Sequence, residues 1–481
     1  MSELRRGLNV WEAIGISIAL MAPSMAANIN PQATAGSVGR AVPLAFGLAT
    51  VGVLLVAYAF VRLCQHFHHA GSVYGFVGAT LGARAGLVAG WALLGTYVLY
   101  GVVTSTAAGI FGASFLDEVG AWKHQPSWAP FLIGTLALLG VLALTVSPVR
   151  SATRVLLTAE GATVLLILVI SLVVLIRLLN GSAPHGRTFT WSVFSVAPGT
   201  DVSTLFLGAV FGFLSFAGFE AAATLGEESR RPRRDIPRAI LGTAIFGGVY
   251  FIVVTAIEVM GFGTDDAGVK AFTNSGSLLG DLGTGYVGAW AGNLVTLGAA
   301  VSAFGCALAC GVGAARLAFA FGRDGVAPAR LGAVSPRLGT PHVAALTVVV
   351  MMGAVVLLDA LAFGASAFEV FLWSGTIGTL ILLVAYVLAT LGAIRLLFFS
   401  GRRLVPAWQI VIPLLALVVV GYTLYRNVIP YPTGAARWFP VVCLIWLAIA
   451  VVYVIARPGV ARRAGRQLAV STAPELEEDH V

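Results

Sequence analysis

The sequence predicts an all-α polytopic membrane protein with twelve transmembrane helices, on three observations. Of 481 residues, 58% are hydrophobic and only 10% charged, with a mean hydropathy of +0.92. A soluble domain carries roughly 25% charged residues, so no large soluble domain fits in what remains. The apolar residues are gathered into runs of about 20, the length that crosses a bilayer core as a helix. The basic residues fall in the short stretches between those runs. Despite a net charge of +8, that pattern is an orientation signal, not a phosphate-binding face, and nucleic acid is not an expected partner.

In chain order the runs cover 11–34, 42–63, 86–112, 129–147, 154–179, 203–226, 239–262, 286–320, 342–362, 367–397, 409–427 and 438–456. Arg5, Arg6 and the apolar stretch after them resemble a signal peptide, but no cleavage site followed by a soluble domain appears, so the stretch is read as the first helix. Segment 1 holds Met21-Ala22-Pro23-Ser24-Met25-Ala26-Ala27-Asn28, a proline among small residues at mid-span. Segment 3 pairs Gly86 with Gly90 and carries Tyr97 and Tyr100, whose hydroxyls either face a cavity or end a packed ring. Segment 5 holds Glu160. Segment 6 opens with Gly208 and Gly212 at a packing spacing and is interrupted by Ser215-Phe216-Ala217-Gly218-Phe219-Glu220. An arginine-rich exit, Arg230 to Arg238, follows it. Glu258 near the end of segment 7 and Glu369 at the start of segment 10 are expected at the interface. Glu12 sits in the first turn of segment 1, where the helix dipole favours a carboxylate.

Orientation follows from counting bases. With the N-terminus in the cytoplasm, 22 of the 29 Lys and Arg residues lie on that side and 7 outside. Both termini are therefore expected in the cytoplasm of a bacterial cell, with the chain multi-pass in the inner membrane. The tail after Arg466 is expected to be disordered.

A carboxylate inside an apolar span is costly and marks a functional site by default. Non-helical backbone at membrane depth is tolerated only where it lines a cavity or is buried in protein. Segments 1 and 6 are both interrupted, and five helices separate their equivalent points, so the second unit enters upside down relative to the first. Interrupted segments at matching places in two halves point to an inverted-repeat transporter.

Other constellations have plainer readings. His66-Phe67-His68-His69 has no acidic or cysteine company, and Cys306 with Cys310 gives only two thiols, so no metal site is expected. Gly311-Val312-Gly313 has no strand before it and no lysine after it, so it is not a nucleotide loop. No Walker motif appears, and no nucleophile, base and metal cluster of the kind an enzyme needs.

Three stretches resemble the amino acid–polyamine–organocation permease superfamily. The first runs from Ala70-Gly71-Ser72-Val73-Tyr74 through Gly82, Gly86, Gly90 and Trp91. The second is Phe216 to Glu220 with Glu227-Glu228, Pro232 and Ile236-Pro237-Arg238-Ala239-Ile240. The third is Ala315-Arg316-Leu317 through Gly322-Arg323-Asp324-Gly325-Val326-Ala327-Pro328 to Thr340-Pro341. The resemblance covers nearly the whole chain. It implies a LeuT-type five-plus-five inverted repeat with two extra helices: repeat one at 11–179, repeat two at 203–397, helices 11 and 12 at 409–456, and cytoplasmic ends at 1–10 and 457–481. It also implies secondary transport of amino acids or related amines by alternating access, with membrane lipid around the chain and no catalytic residues or cofactor. A proton gradient is the expected drive, sodium is the other ion considered, and exchange is the alternative mode. A channel or membrane enzyme is the rival class. Substrate identity and oligomeric state are not readable.

In such a fold, unwound peptide groups replace the water a substrate sheds. Half-helix N-termini suit a carboxylate, and C-termini suit an ammonium. The expected substrate-binding residues are Ala22, Pro23, Ser24, Met25 and Ala26 from segment 1, Tyr97 from segment 3, and Ser215, Phe216, Ala217, Gly218 and Phe219 from segment 6. Met25, Phe213, Phe216 and Phe219 form the expected apolar wall or ordinary packing. Relatives carry a glycine-rich triplet where this chain has Pro23-Ser24-Met25, so the cradle departs from the pattern. In relatives a glutamate matching Glu220 serves proton-dependent gating; the other reading is a structural carboxylate. Several relatives place a lysine near Glu160, with its ammonium where sodium sits in cousins. A glutamate there reverses the charge, taking a proton, pairing with a cation or Arg, or serving as a buried hydrogen-bonded acid. Glu220 and Glu160 are the coupling candidates. A contact of Glu227 or Glu228 with the following arginines, and the Arg323-Asp324 pair, are the expected braces at the cytoplasmic loops.

Overall fold

Apolar runs become helices throughout the computed structural model, which describes residues 10–67, 72–146, 150–197, 200–225, 229, 231–335, 339–401, 403–460 and 463. Ala70, Gly71, His68, His69, Glu227, Glu228, Arg230 and the tail after Arg466 lie outside the described residues. Among the described residues helices are the only regular element. In order they are α1 (Val10–Met21), α2 (Pro23–Val38), α3 (Val42–His66), α4 (Ser72–Leu81), α5 (Ala83–Glu118), α6 (Ala129–Val146), α7 (Arg150–Leu179) and α8 (Leu205–Ser215). There follow α9 (Pro232–Phe262), α10 (Asp266–Thr273), α11 (Leu278–Tyr286), α12 (Ala289–Arg323), α13 (His342–Leu357), α14 (Ala367–Phe399), α15 (Val411–Arg426) and α16 (Trp438–Ala456).

Ten helical runs among the described residues are long and apolar enough to cross a membrane. The first, Val10–His66, contains predicted segments 1 and 2 together. Segment 6 is not among the ten, because its α-helix stops at Ser215 and leaves only a short apolar helix, Val202–Ser215. Leu132 and Leu136 on α6, Leu165 and Leu172 on α7, Val350 on α13 and Leu444 on α16 are exposed. Exposed apolar side chains on helices of this length belong against lipid.

Two elements differ from the sequence reading. The arginine-rich exit is not wholly loop: α9 starts at Pro232, because proline at the first helical position loses no hydrogen bond and presets φ. Between α9 and α12, in a stretch with no predicted segment, stand α10 and α11. Asp265 caps α10 by accepting from the Gly268 N–H at 3.1 Å, the ordinary role of an aspartate before a helix. Before α8, the Asp201 carboxylate accepts from the Ser203 N–H at 2.9 Å and its hydroxyl at 2.7 Å. Those bonds hold its carboxyl below the usual range.

Small residues set the spacing of the bundle. A Cβ on Gly208 would stand 2.9 Å from Val38 and 3.0 Å from Thr34, so this glycine brings α8 onto α2. A Cβ on Gly86 would stand 2.7 Å from the Gly78 Cα, fastening α4 to α5. Without a hydrophobic drive between helices in lipid, such close packing does the associating. The last helix is tied to α5 by two indoles: Trp91 Nε1 donates to the Trp446 carbonyl at 2.8 Å, Trp446 Nε1 donates to the Trp91 carbonyl at 3.1 Å, and the rings stack at 4.6 Å.

Most hydroxyls in the spans bond their own helix. Thr50, Thr80, Thr255 and Thr390 each donate to the carbonyl four residues back, which satisfies them locally. Helix α2 behaves differently. Asn28 Oδ1 accepts from the Ser277 hydroxyl and the Leu279 N–H, both at 2.9 Å. Asn30 Nδ2 donates to Ser215 Oγ at 2.7 Å, and Gln32 Nε2 reaches the Ser275 carbonyl at 2.5 Å. This buried helix is held by polar bonds to α8 and to the start of α11.

Candidate functional site

The interruption in segment 1 is one residue wide. Ala22 adopts φ 46° and ψ 56°, a left-handed conformation that costs a non-glycine residue about 1–2 kcal/mol. Pro23 is the cause: it disfavours helical backbone in the residue before it and brings no N–H. It also starts α2 at once. The expected unwound stretch from Ala22 to Ala26 is therefore corrected: Pro23, Ser24, Met25 and Ala26 form the first turn of α2.

The free N–H groups of that turn meet the protein itself. The Ser24 N–H donates to Glu160 Oε1 of α7 at 2.9 Å. The Met25 N–H donates to Ser302 Oγ of α12 at 3.2 Å. The Ala26 N–H returns to the Ala22 carbonyl at 2.9 Å. A carboxylate at a helix N-terminus is also favoured by the dipole. Glu160 is buried and serves as a hydrogen-bonded acid at this terminus. From α9, Tyr250 Oη donates to the Pro23 carbonyl at 3.4 Å.

The interruption in segment 6 is longer. Helix α8 ends at Ser215, whose hydroxyl donates to the Phe211 carbonyl at 2.8 Å. Phe216 and Ala217 turn back onto the carbonyls of Phe213 and Leu214, both at 3.1 Å. Gly218 then takes φ 107°, a conformation open to glycine. Its N–H donates to Glu220 Oε2 at 3.3 Å. A 3₁₀ helix follows from Phe219 to Leu225.

The two interruptions touch. A Cβ on Gly218 would stand 3.1 Å from the Leu20 carbonyl carbon and 3.2 Å from its oxygen. Both flanks also meet at Gly247 of α9, where a Cβ would stand 2.8 Å from Met21 Cε and 2.9 Å from Phe216 Cε1. The Leu20 carbonyl accepts from Cys306 Sγ at 3.4 Å, so that cysteine joins the network in addition to packing.

The aromatic residues divide. Phe216 packs on Phe251 at 5.5 Å, and Phe219 lies between Phe60 at 5.8 Å and Tyr386 at 5.9 Å. Phe213 sits against Gly52 of α3. Tyr97 is part-buried, with its ring where a Cβ on Gly313 would stand 3.3 Å away. Tyr100 bonds Thr379 Oγ1 at 3.0 Å and is an internal tie. Tyr386 is buried beside Glu220, with its hydroxyl meeting no hydrogen-bond geometry.

Sequence reasoning missed Ser302, Tyr250 and Tyr386, single polar groups in apolar helices with nothing local to mark them. Asn30 and Gln32 carried a legible signal, as uncharged polar residues deep in a span. Glu258, expected at the interface, is fully buried with neither oxygen bonded. Glu369 shares a capping box with Ser366 at the start of α14. Asp324 is buried and pairs with the neighbouring Arg323 at 3.0 Å, as a brace at that loop requires, while Tyr453 donates to the Val326 carbonyl at 2.5 Å.

Residues 13–470 match the sequence profile of the family described as "Amino acid permease". The chain belongs to the amino acid permease family. The permease is similar to a branched-chain amino acid permease of Bacillus subtilis (strain 168), 26% identical over 67% of this chain and 69% of that one. It is similar to a low-affinity putrescine importer of Escherichia coli (strain K12), 27% identical over 74% of this chain and 75% of that one. It is also 28% identical, over 88% of this chain and 87% of the other, to an uncharacterized transporter of Mycobacterium tuberculosis (strain ATCC 25618 / H37Rv). The permease is thus a multi-pass membrane transporter and not an enzyme.

Proposed function

We propose that this permease is a secondary active transporter that carries amino acids or related amines across the cytoplasmic membrane by alternating access, driven by protons. The observation that carries the reading is the direct contact of two interrupted helices, Gly218 against Leu20, with a buried carboxylate at each interruption. Broken helices paired this way fit a five-plus-five inverted repeat, 11–179 and 203–397, with the pair at 409–456 outside it. On that reading the twelve predicted segments all cross the membrane, both termini are cytoplasmic, and the substrate sits between residues 22–26 and 215–219 with Tyr97 at its side. Glu220 and Glu160 are the groups through which a proton couples to movement. The names of the Bacillus and Escherichia relatives, one an amino acid permease and one a putrescine importer, support the substrate range.

The test is uptake by the purified permease in proteoliposomes under an imposed proton gradient and then a sodium gradient. Accumulation that follows the proton gradient is expected. Uptake indifferent to both gradients, but dependent on solute loaded inside, would replace symport with exchange.

A further inference from the structure

Arg62 is a cation half withdrawn from water with no acid beside it. It lies near the end of α3, where α14 also finishes and α15 begins and packs on α3. Two elements fix its guanidinium. Nη1 donates to Gln65 Oε1 at 3.2 Å, and Nη2 donates to Gln409 Oε1 at 2.9 Å. Gln409 belongs to the short 3₁₀ turn Ala407–Ile410 that leads into α15. The Tyr58 hydroxyl holds it in place, donating to the same oxygen at 2.8 Å. The guanidinium carbon stands 5.3 Å from the centre of the Tyr58 ring. All these partners are neutral, and no ion pair among the described residues includes Arg62.

A basic side chain near a helix end ordinarily lays its stem on apolar surface and puts its charged head in water. Arg457 follows that pattern: it reaches over the Tyr453 ring at 5.8 Å and is exposed. Arg62 is tied back to the start of α15 instead. The two amides take two of its five N–H donors, and the others are free for an anion. A partly buried charge without a counter-charge is costly, and a guanidinium already held in place matches the oxygens of a phosphate. The surroundings belong to a bilayer interface. Phe399, Leu404 and Trp408 are exposed apolar side chains at this corner, where aromatic rings sit at headgroup level. Arg395 and Arg403 are exposed beside them. The Leu404 N–H donates to the Leu397 carbonyl at 3.0 Å, which keeps Arg403 near the end of α14.

We infer that this corner binds the phosphate of an anionic membrane phospholipid, with Arg62 as the group that grips it. The exposed apolar side chains favour a lipid over a soluble phosphate, because they offer a surface to its glycerol and acyl portion. The further bases, Arg395 and Arg403, favour a headgroup of net negative charge over a zwitterionic one. A lipid so placed bridges α3 and the start of α15. The inference needs only that the chain spans a bilayer; it does not depend on the substrate or the driving ion.

The experiment titrates the delipidated, detergent-purified full-length permease with phosphatidylglycerol, phosphatidylcholine and soluble glycerol phosphate. Thermal stabilisation gives the half-saturating concentration of each. Phosphatidylglycerol should stabilise the protein at the lowest concentration of the three. Arg62→Gln should raise its half-saturating concentration about tenfold or more, while Arg457→Gln leaves it unchanged. Equal effects of the two lipids on the parent would overturn the inference, and so would an Arg62→Gln variant that binds as the parent does. Arg457→Gln losing as much as Arg62→Gln would replace the site with a diffuse basic surface. Glycerol phosphate matching phosphatidylglycerol would assign the site to a soluble phosphate, and the lipid would fall. Should Arg62→Gln fail to fold, Arg62→Lys keeps the charge and loses the forked geometry; it should bind phosphatidylglycerol at least about threefold more weakly, and parental binding by it overturns the inference as well.

Discussion

The Ser24 N–H and Glu160 Oε1 are 2.9 Å apart although 136 residues separate them in sequence. One hydrogen bond thus joins the first turn of α2 to the middle of α7, at the point where α1 stops. Removing its acceptor and removing its charge are different perturbations, and they separate cleanly. Glu160→Gln keeps an oxygen for the Ser24 N–H, whereas Glu160→Ala leaves that buried N–H unmatched at a cost of about 1–3 kcal/mol. Differential scanning fluorimetry of the purified permease should show the alanine variant melting clearly below the glutamine variant. Equal melting temperatures would mean that the bond contributes nothing to holding α2.

Gly218 combines a φ of 107° with a position where an added Cβ would stand 3.1–3.2 Å from the Leu20 backbone. Gly218→Ala should therefore lose on two counts, about 1–3 kcal/mol for the backbone alone, with further loss from pushing α1 away. Uptake should fall at least about tenfold, and the melting temperature should drop with it. Activity at the parental level would show that the contact between the two interruptions is dispensable.

Glu220→Gln retains an acceptor for the Gly218 N–H, so folding and melting should match the parent. Proton-driven accumulation should be lost, while counterflow between equal pools of substrate persists, because counterflow needs no net proton movement. Accumulation unchanged in this variant would transfer the coupling role to Glu160.

Asn28→Ala removes the acceptor of the Ser277 hydroxyl and the Leu279 N–H together. Hydrogen exchange followed by mass spectrometry should then be faster in 277–282, with α14 unaffected. Protection that does not change would show that α11 is held by its apolar face alone.

Much of this arrangement was legible in advance, for physical reasons that differ by element. Span length and apolar content alone placed Trp438–Ala456 and Ala129–Val146, since a bilayer demands little more of a helix. Pro23 betrayed the first interruption because proline acts on its immediate neighbours. Its width was not legible: a proline that ends one helix is equally suited to start the next, and small residues after it resemble an unwound stretch. The partners of the Ser24 and Met25 N–H groups were hidden for another reason. Glu160 could be suspected as a charge in a span, but Ser302 is one small hydroxyl in a helix full of small residues, and only tertiary packing selects it. Glu258 misled the reading because its position near a helix end resembles a lipid boundary, whereas α10 and α11 extend the protein beyond it.

The unequal width of the two interruptions gives them unequal mechanical freedom. A single left-handed residue between two hydrogen-bonded helices supplies one pair of dihedrals, so α1 can swing against α2 but cannot change its length. The seven residues from Phe219 to Leu225 are wound as 3₁₀ helix, which rises about 2.0 Å per residue against about 1.5 Å for an α-helix. Rewinding them would shorten that arm by about 3–4 Å and turn Glu220 about its axis. One interruption is built as an elbow and the other as a screw.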